Sequence, residues 1–114
     1  MIGLNGKQIL LAKPIMNATK QVIKERLNGE QDLERYLQFY KDYFSFRSFD
    51  IVCPQYKNIN QALNRLCNIN VYIDNKLYKR LEKVRGGKGS WACYVLPKPT
   101  LLKLIDEVKK DLEA

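Results

Sequence analysis

A short basic segment rich in glycine, RGGKGS at positions 85–90, most constrains what this chain can fold into. Two adjacent glycines cannot easily continue a helix, because glycine loses more backbone entropy than any other residue on folding. The residues that follow, WACYVL, are rich in strand formers, and Pro97 ends them. The segment is therefore predicted to be a cationic loop between two ordered elements.

The composition favours one packed domain that spans residues 1–114. The chain has 46% apolar and 11% aromatic residues, no run near the roughly 18 apolar residues of a membrane span, and no basic region typical of a signal peptide. Its three cysteines are odd in number and include no close pair, and there is no histidine. The sequence therefore predicts no disulfide framework, no metal site and no cofactor, and we expect a cytoplasmic protein that does not enter a membrane.

The positive charge is concentrated in one part of the chain. The net charge is +8, and the segment from Lys57 to Lys98 contains nine lysines and arginines opposed only by Asp74 and Glu82, which gives it +7. Such a localised cationic field favours a polyanionic partner. The alternative is a solvated basic face without a partner.

The spacing of apolar residues predicts a mostly helical chain. Residues 1–13 suit a short hairpin about Asn5-Gly6, and Pro14 suits the first turn of a helix that runs to about Leu27. Apolar residues three and four positions apart predict further helices at about 32–44, 58–67, 74–84 and 98–114. Asp32 is placed to cap the first of these.

The segment 74–84 is the most ambiguous of the predicted helices. Leu77, Leu81 and Val84 lie on one helical stripe, which leaves the basic residues on the other faces. A strand would instead place Lys79 and Lys83 on the same face as the leucines, which is a poor core pattern. The pattern therefore favours a helix that is apolar on one side and basic on the other.

The predicted order of two helices, a basic helix, a glycine-rich loop and a strand resembles the winged helix-turn-helix family of DNA-binding domains. The residues that carry the resemblance are Ala62, Leu63 and Leu66 in a supporting helix, Leu77, Leu81 and Val84 in a recognition-type helix, and RGGKGS with WACYVLP in the wing. The resemblance covers about 32–97, with 1–31 as an N-terminal extension and 98–114 as a C-terminal helix. It implies an α+β, mostly helical winged-helix fold.

The connection between the two helices, at about 68–73, is longer than the usual tight turn of this family. An alternative register therefore makes 58–69 the recognition helix and 77–84 the first strand of the wing. Both registers remain open at the level of sequence.

The resemblance implies that a basic helix at 74–84 enters the major groove and that the wing at 85–90 contacts the backbone. The implied DNA-binding residues are Asn75, Lys76, Lys79, Arg80, Lys83, Arg85, Lys88, Arg65 and Lys57. Asn75 and Lys76, at the helix start, are the candidates for contacts with base edges. The remaining cations are candidates for phosphate contacts.

The function expected from these observations is sequence-specific binding of double-stranded DNA by a nucleoid-associated transcriptional regulator. Apolar stripes on the first and last helices predict a homodimer with two recognition helices. The chain lacks histidine, and GGKGS does not have the spacing of a nucleotide-binding loop, so we expect no enzymatic activity. No small-molecule effector is evident. The alternatives are a protein-interaction or RNA-binding module, or a plasmid or viral replication or partition factor.

Overall fold

Five helices and two small antiparallel sheets make up the described part of the protein. The structure, a computed structural model, describes residues 6–28, 32–68, 71–73, 76–78, 80–84 and 92–113. The helices are α1 (Gly6–Asn28), α2 (Leu33–Gln38), α3 (Tyr40–Tyr43), α4 (Ile59–Leu66) and α5 (Lys98–Glu113). The strands are β1 (Phe46–Arg47), β2 (Val71–Ile73), β3 (Lys76–Tyr78), β4 (Glu82–Val84) and β5 (Cys93–Val95). The fold is thus α+β and mostly helical, as predicted.

Helix α1 is continuous through Pro14, which corrects two predictions. The hairpin expected over residues 1–13 is wrong from Gly6 onward, and Pro14 lies inside a helix rather than at its start. Asn5 lies outside the described residues. A buried stripe of Leu11, Ile15, Thr19 and Ile23 runs at four-residue spacing across the proline. Burial of this stripe offsets the roughly 3 kcal/mol that an interior proline costs a helix.

Helices α1 and α5 pack against each other. The buried face of α5 comprises Thr100, Leu101, Leu104, Ile105 and Val108. Lys20 of α1 also pairs with Glu107 of α5, with 3.4 Å between nitrogen and oxygen. Most of the two apolar stripes from which the homodimer was predicted is therefore covered within one chain, although Leu102 and Leu112 stay exposed. The homodimer itself stays a prediction.

The aromatic-rich segment forms two short helices instead of the single predicted helix. Phe39 separates α2 from α3, with a backbone φ of −114° and ψ of 43° that departs from helical values. The predicted cap is confirmed, because the Asp32 carboxylate accepts a hydrogen bond of 3.1 Å from the Arg35 amide. Phe44, directly after α3, is fully buried.

A three-stranded antiparallel sheet with the order β1–β5–β4 lies between the helices, and β2 and β3 form a separate hairpin. The strand predicted at 91–96 is confirmed as β5 within its described part. Tyr94 in the middle of β5 is opposite Phe46 on one side and Lys83 on the other. A 3-10 turn, Ser48–Asp50, follows β1. The core joins this sheet to the inner faces of α1, α4 and α5.

The helix predicted at 74–84 is wrong, because the described residues of this segment are extended. Lys76–Tyr78 form β3 and Glu82–Val84 form β4. Leu81, which was placed on a helical stripe, donates its amide hydrogen to the Leu66 carbonyl at 3.1 Å. Pairing of β4 with β5 thus satisfies backbone groups that a helix would have satisfied locally, and tertiary context overrides the helical spacing.

Candidate nucleic-acid interface

Helix α4 begins and ends where its local sequence predicts. The Asn58 side chain accepts a hydrogen bond of 3.1 Å from the Gln61 amide, so it caps the helix start. Ala62, Leu63 and Leu66 are buried, as predicted for a supporting helix. The helix is therefore held in the domain by a narrow apolar face.

The opposite face of α4 is polar and open to solvent. Asn60, Gln61 and Arg65 are exposed there. An asparagine or glutamine side chain can form two hydrogen bonds with the edge of adenine, and an arginine guanidinium can form two with the edge of guanine. This face therefore carries the residue types that read base edges in a major groove.

Two hydrogen bonds join α4 to the sheet. The buried Tyr94 hydroxyl of β5 donates to the Asn64 side-chain oxygen at 2.9 Å. At the end of the helix, the Leu66 carbonyl accepts from the Leu81 amide, which immediately precedes β4. These bonds hold α4 in a defined position relative to the hairpin of β4 and β5.

Cations lie at both ends of α4. Lys57 is exposed just before the helix start. Arg65 is exposed in its last turn, and the bond between Leu81 and Leu66 brings the backbone of exposed Arg80 next to the helix end. We call Lys57, Arg65, Arg80 and Lys83 the α4 cationic surface.

Lys83 and Arg65 lie close enough to two ionisable groups near α4 to affect their pKa values. Burial raises the pKa of the Cys67 thiol at the end of α4, and the Lys83 ammonium nearby opposes that rise. Burial likewise raises the pKa of Tyr56, and the Arg65 guanidinium opposes this rise. Lys83 and Arg65 thus act electrostatically on residues at, or just before, α4.

None of the four cations of the α4 cationic surface takes part in an ion pair within the described residues. The ion pairs among the described residues join Lys20 to Glu107, Lys41 to Glu82, and Arg47 to Asp50. The four charges are consequently not neutralised by a carboxylate contact in this part of the chain, and an external anion can approach them.

Of the other predicted site residues, the structure describes only Lys76. Lys76 lies in β3 rather than at the start of a helix. Asn75, Lys79, Arg85 and Lys88, together with the whole glycine-rich segment 85–90, lie outside the described residues. The structure thus places Lys57 before the start of α4 and Arg65, Arg80 and Lys83 near its end, and it places Lys76 in a strand instead of a helix.

Sequence reasoning did not select Asn60 and Gln61 as site residues. The signal was present in INQALNRL, where polar amides and one arginine occupy the face opposite Ala62, Leu63 and Leu66. The concentration of positive charge at 76–88 is the stronger sequence signal, and it favours the segment that follows α4.

No family model matches this chain, and neither a curated protein nor a solved structure shows significant similarity to it. Among the described residues, no three histidine, cysteine, aspartate or glutamate side chains are grouped as they would be to hold a metal ion. Of the helices described, none has the length and apolar character needed to cross a membrane.

Proposed function

We propose that the protein binds double-stranded DNA in a sequence-specific way, with α4 as the helix that enters the major groove. The observation that carries this proposal is the division of α4 into a buried apolar face and an exposed face of Asn60, Gln61 and Arg65. Cations without described ion pairs lie at both ends of that face. They are suited to phosphate contacts, while the amides between them are suited to base contacts.

The sheet supports a winged-helix interpretation of the fold. In such a fold, the hairpin of β4 and β5 is the wing, and its order β1–β5–β4 places the wing strands side by side. The departure from the family lies between α4 and β4, where the described residues form the hairpin of β2 and β3 rather than a second helix. In this proposal α4 is the recognition helix, which corresponds to the alternative register that places the recognition helix at 58–69 and the first strand of the wing at 77–84. Regulation of transcription is the biological role that we propose for such binding.

The test is fluorescence anisotropy with labelled random-sequence duplex DNA, single-stranded DNA and structured RNA at several salt concentrations. We expect the duplex to bind most tightly, with an affinity that falls steeply as salt rises because phosphate contacts release counterions. Tighter binding of RNA or single-stranded DNA would show that double-stranded DNA is not the target. The absence of binding to any of the three at low salt would overturn the proposal.

Paired variants separate the α4 cationic surface from general charge. Arg65→Ala with Lys83→Ala should weaken duplex binding on the order of tenfold or more and reduce the salt slope by about two. Lys109→Ala with Lys110→Ala removes the same charge from exposed positions of α5 and is the matched control. Equal losses in the two double variants would show that the binding surface is not at α4.

A further inference from the structure

Glu82 on β4 is held by the first two residues of α3. The Tyr40 hydroxyl donates a hydrogen bond of 2.8 Å to the Glu82 Oε2 atom, and the Lys41 ammonium lies 3.5 Å from the same oxygen. A hydrogen bond from a hydroxyl to a carboxylate is stronger than one between neutral groups, whereas an exposed ion pair contributes little. Tyr40 is therefore the main partner of this carboxylate.

This contact lies on the opposite face of β4 from α4. Lys83 is directly opposite Tyr94 in the pairing of β4 with β5. Directly opposite residues of antiparallel strands have their side chains on the same face of the sheet, and Tyr94 reaches α4 through its hydrogen bond to Asn64. Successive side chains of a strand point to opposite faces. Lys83 therefore lies on the face toward α4, and Glu82 lies on the other face, where Tyr40 holds it.

Strand β4 has few other constraints. It has three residues and lies at the edge of its sheet, with β5 as its neighbour among the described strands. Its start is held by the hydrogen bond between the Leu81 amide and the Leu66 carbonyl. A short strand that is paired along one edge can still twist about its own axis. The contact between Tyr40 and Glu82 acts on a side chain of β4 and so limits that rotation.

The charge of Glu82 is unusual for its place in the sequence. The segment from Lys57 to Lys98 carries +7, and Asp74 and Glu82 are its two acidic residues. A carboxylate beside phosphate contacts would repel a polyanion. Tyr40 and Lys41 hold the Glu82 carboxylate on the face away from Lys83 and offset its charge.

We propose that Tyr40 and Glu82 are positioning residues for DNA binding, which act by orienting Lys83 toward the DNA backbone beside α4. This inference rests on the proposed function of the α4 cationic surface. A charged side chain contributes most to binding when supporting contacts already hold it near its bound position. Rotation of β4 would move the Lys83 ammonium away from a phosphate, and the hydrogen bond between Tyr40 and Glu82 opposes that rotation.

Two substitutions at Glu82 separate positioning from charge. Glu82→Gln and Glu82→Ala remove the same negative charge, but only glutamine keeps an oxygen that can accept from the Tyr40 hydroxyl. Affinity for the labelled random-sequence duplex is measured by fluorescence anisotropy. We expect the glutamine variant to bind at least as tightly as the parent protein, and the alanine variant to bind about threefold or more weakly than the glutamine variant. Equal binding by the two variants would overturn the inference, because charge alone would then explain both.

A double-mutant cycle tests whether Tyr40 acts through Lys83. Lys83→Ala should weaken duplex binding about three- to tenfold and reduce the salt slope by about one, since one phosphate contact is lost. Tyr40→Phe should change both quantities in the same direction and should add little in the Lys83→Ala background. Tyr43→Phe is the control, because the Tyr43 hydroxyl has no hydrogen-bond partner among the described residues. Additive losses from Tyr40→Phe and Lys83→Ala would overturn the inference.

Hydrogen exchange distinguishes failure of this inference from failure of the proposed function. We expect the backbone amides of β4 and β5 to exchange about threefold or more faster in Glu82→Ala than in Glu82→Gln, because the edge strand opens more readily without its contact to α3. Faster exchange in a protein that binds no duplex would reject the proposed function while retaining the role of Tyr40 in fixing β4. Equal exchange in the two variants would overturn the positioning role, whatever the parent protein binds.

Discussion

The hydroxyl of Tyr94 donates a 2.9 Å hydrogen bond to the side-chain oxygen of Asn64 and so joins the central strand β5 to the helix α4. Tyr94 is fully buried, and Asn64 is a half-buried residue of α4. The bond therefore links the core of the sheet to the helix that we propose to contact DNA.

Removing this bond should destabilise the protein modestly. We expect Tyr94→Phe to lower the free energy of unfolding by about 1–2 kcal/mol, because the Asn64 oxygen loses its partner in a partly buried place. Urea denaturation measures this change. Tyr43→Phe is the control, since the Tyr43 hydroxyl has no hydrogen-bond partner among the described residues, and an equal loss in both variants would contradict the prediction.

The cap of α4 should contribute measurably to stability. Asn58→Ala removes the oxygen that accepts from the Gln61 amide and should lower the free energy of unfolding by about 1 kcal/mol. Asn58→Ser keeps an accepting oxygen at the cap and should remain within a few tenths of a kcal/mol of the parent protein. Thermal or urea unfolding distinguishes the two variants, and equal stabilities would show that the cap contributes little.

The apolar face of α4 should contribute more than its cap. Leu63 is fully buried, and Leu63→Ala should lower the free energy of unfolding by about 2–5 kcal/mol because it leaves a cavity in the core. Leu112→Ala removes a side chain that is 58% exposed on α5 and should change stability by no more than about 0.5 kcal/mol. A small effect at Leu63 would mean that α4 is not held by its apolar face.

Tyr40 should make stability depend on pH in the alkaline range. Burial, together with the hydrogen bond of 2.8 Å to Glu82 and the charge on that carboxylate, raises the pKa of Tyr40 from 10.0 to about 12. The folded protein therefore keeps a proton that the unfolded chain releases, so this contribution to stability is complete below pH 10 and is lost as pH rises toward 12.

Ultraviolet titration of tyrosinate measures this ionisation directly. Tyr40→Phe should remove one of the late-titrating groups, which identifies the Tyr40 step. Glu82→Gln should lower the pKa of Tyr40 because it removes the negative charge that opposes tyrosinate formation. An unchanged titration curve in the glutamine variant would show that Glu82 does not control this group.

The sequence by itself determined α4 and the existence of the strand β5. The start near Asn58, the apolar spacing of Ala62, Leu63 and Leu66, and the end near Cys67 all belong to one helix, and the structure places them as predicted. The strand formers at 91–96 are likewise a local signal that ends at Pro97. Local backbone preferences and side-chain periodicity were sufficient for these elements.

Only the tertiary structure decided how α1 and β4 form. Helix α1 continues through Pro14 because its buried stripe, from Leu11 to Ile23, packs in a core that the rest of the chain completes. Glu82–Val84 are extended because β5, across a glycine-rich segment, supplies their partners. Burial and strand pairing depend on residues that are distant in sequence, so the spacing of Leu77, Leu81 and Val84 could indicate a helix while the backbone bonds of the folded chain stabilise strands.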